Sequence, residues 1–383
     1  MNIGIIVEFA PPEFGAAVIR IMSFAKYFKS KGNHVTIFAP DRNDRYQQQY
    51  EGVDIIRYKD FWNLLNIFSR NEINVLVAST PPATIPFLAT TICKIMNIPI
   101  IVDVRDPWTY AKATLGELST KKFEYKKYYL LEKISYLLAD KLFVVSPYLR
   151  NLISSKFGIP LKKFSIVING TETSKFRRVE HEGIKVRNKL RIPLDVPVII
   201  YTGILGGKEL DCFLHSCGKE IVKKFNCHIV FTVIIDRWSK SIANELRNIA
   251  RKIGIEENFH MLGPIPSSEM YKYLSSSDLG INPLPDGMDY CLPVKTFDYL
   301  ACEVPIACKA PAGGSLHQFM QEYDVGFFAD TWIDFKERLF DALENLKEFK
   351  KKGIYGRKVV EKKYSRKIAN EIAFKEINKI MSE

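Results

Sequence analysis

Short, nearly unbroken apolar runs alternate along this chain with segments whose apolar residues recur every three to four positions. In the first third, residues 3–9, 35–39, 75–78 and 98–102 are compact β-rich runs flanked by turn residues. Between the first two, residues 17–29 set Ile19, Met22, Phe24, Ala25 and Phe28 at helical spacing. Strands that are apolar throughout belong to parallel sheets, where crossover helices bury both faces. A helical stretch over 121–139 precedes another strand at 142–145, and a run at 166–168 ends in the turn Asn169-Gly170.

The pattern restarts after a charged, apolar-poor segment, 175–191. Strands are predicted at 198–202, 229–235, 260–262, 279–282 and 306–308. Helices are predicted between them at 210–225, 239–253 and 267–275, with another beginning at Lys295. From residue 335 onward the chain reads as charged helix. The expected class is therefore α/β, with two Rossmann-like, doubly wound domains over 1–172 and 173–355. Residues 356–383 are expected to form a C-terminal helix that crosses back to the N-terminal domain. Ligands of open α/β sheets bind beyond the carboxyl ends of the strands, so residues just after predicted strands are the candidates for function.

Composition narrows this picture. Apolar residues make up 47% and charged residues 26% of the 383, a mixture that packs cores and excludes compositional disorder. The seven cysteines are odd in number and contain no CxxC pair, which argues against a disulfide framework and a zinc site. The six histidines form no metal set, and neither a metal nor another cofactor is expected. The opening run contains Glu8 and has no basic segment before it, so it reads as a first strand rather than an export signal. No apolar run is long enough for a transmembrane helix, and a cytoplasmic protein is expected. Lys and Arg outnumber Asp and Glu by 55 to 43, a formal charge of +12. That excess suits a phosphorylated ligand or an anionic membrane face. The basic residues are scattered without a recognition motif, so a nucleic acid is not expected.

Four segments carry candidate chemistry. Ala10-Pro11-Pro12-Glu13-Phe14-Gly15-Ala16-Ala17 follows the first strand and leads into a helix. Small residues there let backbone N–H groups approach a phosphate or sugar, although an ordinary βα turn reads the same way. Asp103-Val104-Arg105-Asp106-Pro107-Trp108 sets two carboxylates, a guanidinium and an indole at a strand end. They suit sugar hydroxyls, or an Arg–carboxylate pair that holds the loop closed. Tyr201-Thr202-Gly203-Ile204-Leu205-Gly206-Gly207-Lys208 brings backbone close to a ligand and supplies a point charge for a diphosphate, but lacks Walker spacing. In Tyr290-Cys291-Leu292-Pro293-Val294-Lys295-Thr296-Phe297-Asp298, Pro293 suits a helix start whose free N–H groups bind phosphate oxygens.

Taken together and in this order, these segments resemble the retaining glycosyltransferases of the GT-B fold, family 4, over nearly the whole chain. Gly263-Pro264-Ile265-Pro266 and the run from Leu292 to Ala301 add to the match, the latter being its most specific part. The branch it looks like builds surface polysaccharides and lipid-linked glycans. The resemblance implies a UDP- or GDP-linked sugar as donor and a glycan or lipid-linked saccharide as acceptor, without a metal. It implies that Gly15 and Ala16 approach the donor phosphates or the acceptor, that Lys208 neutralises the diphosphate, that Asp298 holds the ribose hydroxyls and that Ile265 meets the base. Gly203, Gly207, Leu292, Val294 and Lys295 would complete the donor site, with Asp106 and Arg105 on the acceptor side. The family's Glu-x7-Glu pattern is broken, because Tyr290 stands where its first Glu would be and Asp298 replaces the second. The family's cation shortly before Lys208 is also missing, and Arg237 is the candidate to replace it. A nucleotide-sugar epimerase of the same architecture and a non-catalytic nucleotide-sugar-binding protein remain as alternatives. Finally, Lys121, Lys122, Lys126 and Lys127 interleave with Phe123, Tyr125, Tyr128 and Tyr129. The stretch reads either as a surface for peripheral contact with anionic membrane or as a solvated helix with buried aromatics.

Overall fold

The computed structural model describes residues 1–13, 15–42, 48–204, 208–234 and 239–382. It divides into two compact units, Met1–Asn169 with Arg366–Glu383, and Gly170–Ser365.

The sheet of the first unit contains β1 (Asn2–Ile6), β2 (His34–Pro40), β3 (Gln49–Tyr50), β4 (Val53–Tyr58), β5 (Val75–Ser79), β6 (Ile100–Val104), β7 (Lys141–Val144) and β8 (Phe164–Ile166). Their order is β3-β4-β2-β1-β5-β6-β7-β8, and only the β3–β4 hairpin is antiparallel. The helices are α1 (Ala16–Ser30), α2 (Phe61–Arg70), α3 (Thr84–Met96), α4 (Trp108–Thr114), α5 (Phe123–Leu138) and α6 (Pro147–Phe157). The chain begins in the middle of the sheet, builds outward through β2, then resumes on the other side of β1 with β5. That reversal makes the end of the β1–β5 pair the switch point, where successive connections part and leave a crevice. The helix α1 buries Met22, Phe24, Ala25 and Phe28 as its spacing predicts, but Ile19 is exposed, and Ile21 and Arg20 are buried beside them instead.

The second unit contains β9 (Val198–Ile204), β10 (His228–Ile234), β11 (Phe259–Leu262), β12 (Leu279–Pro283), β13 (Ile306–Lys309) and β14 (Gly326–Ala329). All pairs are parallel, in the order β11-β10-β9-β12-β13-β14, so the switch point lies between β9 and β12. Its helices are α7 (Glu180–Lys189), α8 (Glu209–Phe213), α9 (Lys219–Phe225), α10 (Ser239–Lys252), α11 (Met270–Ser275), α12 (Val294–Ala301), α13 (Ser315–Glu322), α14 (Trp332–Glu344) and α15 (Leu346–Lys363). Along β9, Ile199 and Tyr201 enter one apolar layer while Val198 and Ile200 enter the other, so the sheet is covered on both faces. The single helix predicted at 210–225 forms as α8 and α9 joined by a π-helical turn, Leu214–Gly218. Gly218 stands there where a Cβ would lie 3.3 Å from the side chains of Ile253 and Ile255.

The last helix, α16 (Arg366–Ser382), belongs to the first unit. It packs on α1: Asn370 donates to the Ser23 hydroxyl at 2.9 Å, and Phe374 stacks on Phe28 with ring centres 5.7 Å apart.

Candidate functional site

In the second unit the two central strands stay together only briefly. β9 and β12 pair at Leu279–Ile199 and Gly280–Ile200, and beyond that Tyr299 of α12 stands between them. Its hydroxyl accepts from the Thr202 amide at 2.9 Å and donates to the Ile281 carbonyl at 3.3 Å, replacing ladder bonds that the splayed strands cannot make. Gly280 makes room for the ring, since a Cβ there would lie 2.5 Å from it. This wedge fixes α12 at the switch point.

The first turn of α12 carries Lys295. Its ammonium lies 3.9 Å from the centre of the Tyr201 ring, a cation–π contact on a buried aromatic. It also lies over Gly203, where a Cβ would come within 3.0 Å of it. Gly203 has φ +139, so both backbone and space require glycine. Among the described residues no carboxylate pairs with Lys295. A half-buried cation, a glycine and the first turn of α12, whose N-cap Pro293 provides no side-chain cap, thus meet at one strand end. Lys208 is exposed and immediately precedes α8 in the same β9–α8 connection.

The other expected donor contacts are distributed differently. Leu292 is a core residue and Tyr290 is buried, while Val294 and Ile265 are half-buried. Asp298 accepts a hydrogen bond from the Thr171 hydroxyl, so one of its oxygens is committed to a buried neighbour within the unit. Gly207 and Arg237 lie outside the described residues. A group missed from the sequence is Lys309, which ends β13. Although buried, its ammonium lies 2.9 Å from Asp286, after β12, and 3.8 Å from Glu209, after β9. Burial pushes the Glu209 carboxyl up, and Lys309 pulls it back. The polar cluster therefore joins the ends of three strands. A lysine closing an otherwise apolar strand was the signal for it.

At the switch point of the first unit, Gly15 precedes α1 with φ +149, and its α-hydrogens face open space. Ala16 is exposed. The loop between β1 and α1 is held by Arg57 of β4, which donates to the carbonyls of Ala10 at 3.1 Å and Pro11 at 2.9 Å. The Glu13 carboxylate closes the same loop on the Ala10 amide.

The strand-end cluster at Asp103 has two separate jobs. Asp103 is fully buried and forms a bidentate pair with Arg20, at 2.7 and 2.9 Å. Arg20 also donates to the carbonyls of Val167 and Ile168. The arginine that pairs with Asp103 thus comes from α1 and not, as the sequence suggests, from the loop itself. Arg105 and Asp106 are half-buried beside it. Arg105 donates to Ser79, which in turn faces Asp103, and lines a niche of about 10 Å³, room for a single water. Burial lowers the Arg105 pKa, against the pull of Asp106 and Asp103. Burial raises the Asp106 carboxyl, with Arg105 opposing. Glu132 of α5 accepts from the Thr109 amide and so caps α4 just beyond this loop.

Residues 17–175 match the family model described as Glycosyltransferase Family 4, and residues 213–372 match one described as Glycosyl transferase-like. No curated protein sequence matches. Among solved structures, sucrose-phosphate synthase from Thermosynechococcus elongatus superposes with a TM-score of 0.78 at 13% identity, over 100% of this chain and 99% of that one. A glycosyltransferase from Rickettsia africae gives 0.76 at 16% identity, over 100% and 98%. HepE from Anabaena, solved in complex with UDP, gives 0.78 at 11% identity, over 99% and 100%. At these identities the likeness shows the fold: two Rossmann-like units of the GT-B kind.

Proposed function

We propose, for a chain that belongs to the GT-B glycosyltransferases and whose first half matches family 4, that it moves a sugar from a UDP- or GDP-linked donor to a glycan or lipid-linked saccharide with retention of configuration. The observation that carries the reading is the Lys295 ammonium held over Tyr201 and Gly203 at the switch point, without a carboxylate partner among the described residues. A nucleoside diphosphate leaving group develops negative charge as its bond to the anomeric carbon breaks. Lys295, Lys208 and the first-turn N–H groups of α12 are preorganised to stabilise that charge. The new bond forms from the acceptor hydroxyl on the same face, and its proton passes to the departing phosphate oxygen. No metal is required for this scheme. Asp106 and Arg105, which share one loop of the first unit, orient the acceptor hydroxyl. HepE, of the same fold, binds UDP.

Thermal unfolding with a panel of nucleoside diphosphates and nucleotide-sugars, with and without EDTA, tests the donor site. One nucleotide should raise the melting temperature regardless of EDTA, and Lys295→Ala or Lys208→Ala should remove most of the shift. A folded protein that responds to none of them would sink the reading.

The acceptor side has a second feature. In α5, Tyr125, Tyr128 and Tyr129 turn partly inward: Tyr129 stacks on Phe157 at 4.8 Å and Tyr128 meets Trp108 at 4.6 Å. Facing outward are Phe123, 81% exposed, with Leu130 and Leu137, on a line that repeats every two helical turns. Lys121, Lys122, Lys126 and Lys127 beside them are exposed. An apolar stripe flanked by cations is complementary to an anionic bilayer, and a lipid-linked acceptor in that bilayer fits the same face. No helix among the described residues is long and apolar enough to cross a membrane. Contact at the inner face of the cell membrane would therefore be peripheral.

A further inference from the structure

The amino ends of β6, β7 and β8, the carboxyl end of α3 and one face of α16 enclose a cavity of about 720 Å³ in the first unit. It lies at the end of the sheet opposite the loop that carries Arg105 and Asp106. Both ends belong to β6: Ile98 and Pro99 just before it line the cavity, and Arg105 just after it lines the niche at the switch point. A five-residue strand separates them by about 17 Å, so this cavity is no part of the proposed transfer site.

Its lining is strongly cationic. Lys94, Lys141, Lys162, Lys163 and Lys379 surround it, against the carboxylates of Asp140 and Glu376, an excess of three positive charges. Each carboxylate is already engaged. Asp140 pairs with Lys94 at 2.9 Å while accepting from the Ile100 amide at 2.7 Å, and Glu376 pairs with Lys141 at 3.3 Å. Lys163 is held by the Leu137 carbonyl at 2.6 Å, at the negative end of the α5 dipole. Burial lowers the Lys163 pKa, and Lys94 lowers it further against the pull of Asp140. Among the described residues no carboxylate pairs with Lys162 or Lys379. Like charges gathered around one space repel, and they stay soluble and compact at least cost when an anion occupies it. Cys93, Ile98, Pro99 and Ile380 add an apolar wall, and the volume lies in the range of small-molecule sites.

We propose that this cavity is a second ligand site, specific for a phosphate-bearing group whose oxygens bridge Lys162 beside β8 and Lys379 on α16, with Lys141 and Lys163 behind them. The remainder of the ligand rests on the apolar wall. Because Lys379 lies on α16 and Lys162 does not, occupancy ties α16 to the sheet edge and stabilises the first unit.

The test is binding of inorganic pyrophosphate and of a sugar phosphate by calorimetry, at low and at moderate salt, to the full chain. Four proteins are compared: the parent chain, Lys295→Ala, the double variant Lys162→Glu with Lys379→Glu, and all three substitutions together. Both mutated lysines of the double variant are exposed, and its circular dichroism and its response to nucleoside diphosphates report whether it is intact. The site predicts that pyrophosphate still binds Lys295→Ala, that binding weakens with salt, and that adding Lys162→Glu and Lys379→Glu to Lys295→Ala weakens the remaining binding at least tenfold. Vesicles of phosphatidic acid in phosphatidylcholine form a parallel arm. Binding to them that needs Lys162 and Lys379, without a response to free pyrophosphate or the sugar phosphate, assigns the same phosphate chemistry to a lipid headgroup. Pyrophosphate binding that vanishes in Lys295→Ala, or binding by Lys295→Ala that persists when Lys162→Glu and Lys379→Glu are added to it, overturns the proposal. Vesicle binding that depends on Phe123 and Leu130 rather than on Lys162 and Lys379, with no response to free pyrophosphate, overturns it too. So does an absence of response to every probe.

Discussion

Among single residues, the pair Arg20–Asp103 is the most consequential in the first unit. Both are buried, and Arg20 also satisfies two carbonyls at the end of β8. Arg20→Met would leave the Asp103 carboxylate uncompensated and should cost about 3–5 kcal/mol of stability. Calorimetric unfolding reads this directly, and adding Asp103→Leu to Arg20→Met should restore part of the loss. In the second unit, His228 and His260 approach with ring nitrogens 2.9 Å apart. Burial lowers both, His260 to about 4, and the neighbouring imidazole lowers His260 further. An unfolded imidazole takes up its proton near pH 6.5, whereas folded His260 resists until about pH 4. Stability should therefore fall as the pH drops through that window and level off below it, by about 1–2 kcal/mol given the partial exposure of the ring. His260→Gln should flatten the pH dependence of the melting temperature between those limits; an unchanged slope would place the titration elsewhere. Arg20 was hidden in the sequence because it occupies an apolar helical stripe, and what it pairs with lies 83 residues away.

At the scale of elements, continuous apolar runs made β1, β2, β5, β6, β9 and β10 legible, because a strand buried on both faces leaves no polar break. β4 escaped notice, since Asp54 and Arg57 interrupt it, and with it went the arginine that secures the loop before α1. Glycine spacing marked the β9–α8 connection, but nothing local announced that the Tyr299 hydroxyl would bridge two strands; that bond exists only once α12 is docked. The same limit applies to α5. Its spacing and charge were readable, yet which aromatics face inward depends on Trp108 and Phe157. The outward stripe carries its own prediction. Phe123→Ser with Leu130→Ser should reduce sedimentation with phosphatidylglycerol vesicles by tenfold or more, given about 1.5–3 kcal/mol for each large apolar side chain buried. Nucleotide binding should not change, and vesicle binding that survives the double substitution would rule out this face.

For the molecule as a whole, the two sheets follow one plan: the first strand of each unit lies inside its sheet, and the polar candidates cluster where later strands pass to its other side. The restart of the apolar pattern made this duplication visible without any site residue. What the linear pattern did not contain was which polar residues share a space. Lys309 with Glu209 and Asp286, and the lysines at the amino ends of β7 and β8 with Lys379, become neighbours only through sheet order.

The return of α16 has a further consequence for how the protein is made. Ala369, Ala373 and Ile377 belong to the interior of the first unit, yet they follow the whole of the second unit in the chain. The second unit enters and leaves at neighbouring points, where Thr171 and Ser365 form a β-bridge. During synthesis the inserted unit therefore has all its residues available before its host does. The host must wait with the face of α1 uncovered, exposing Phe28 and its neighbours to chaperones or to other nascent chains, until residues 366–382 emerge.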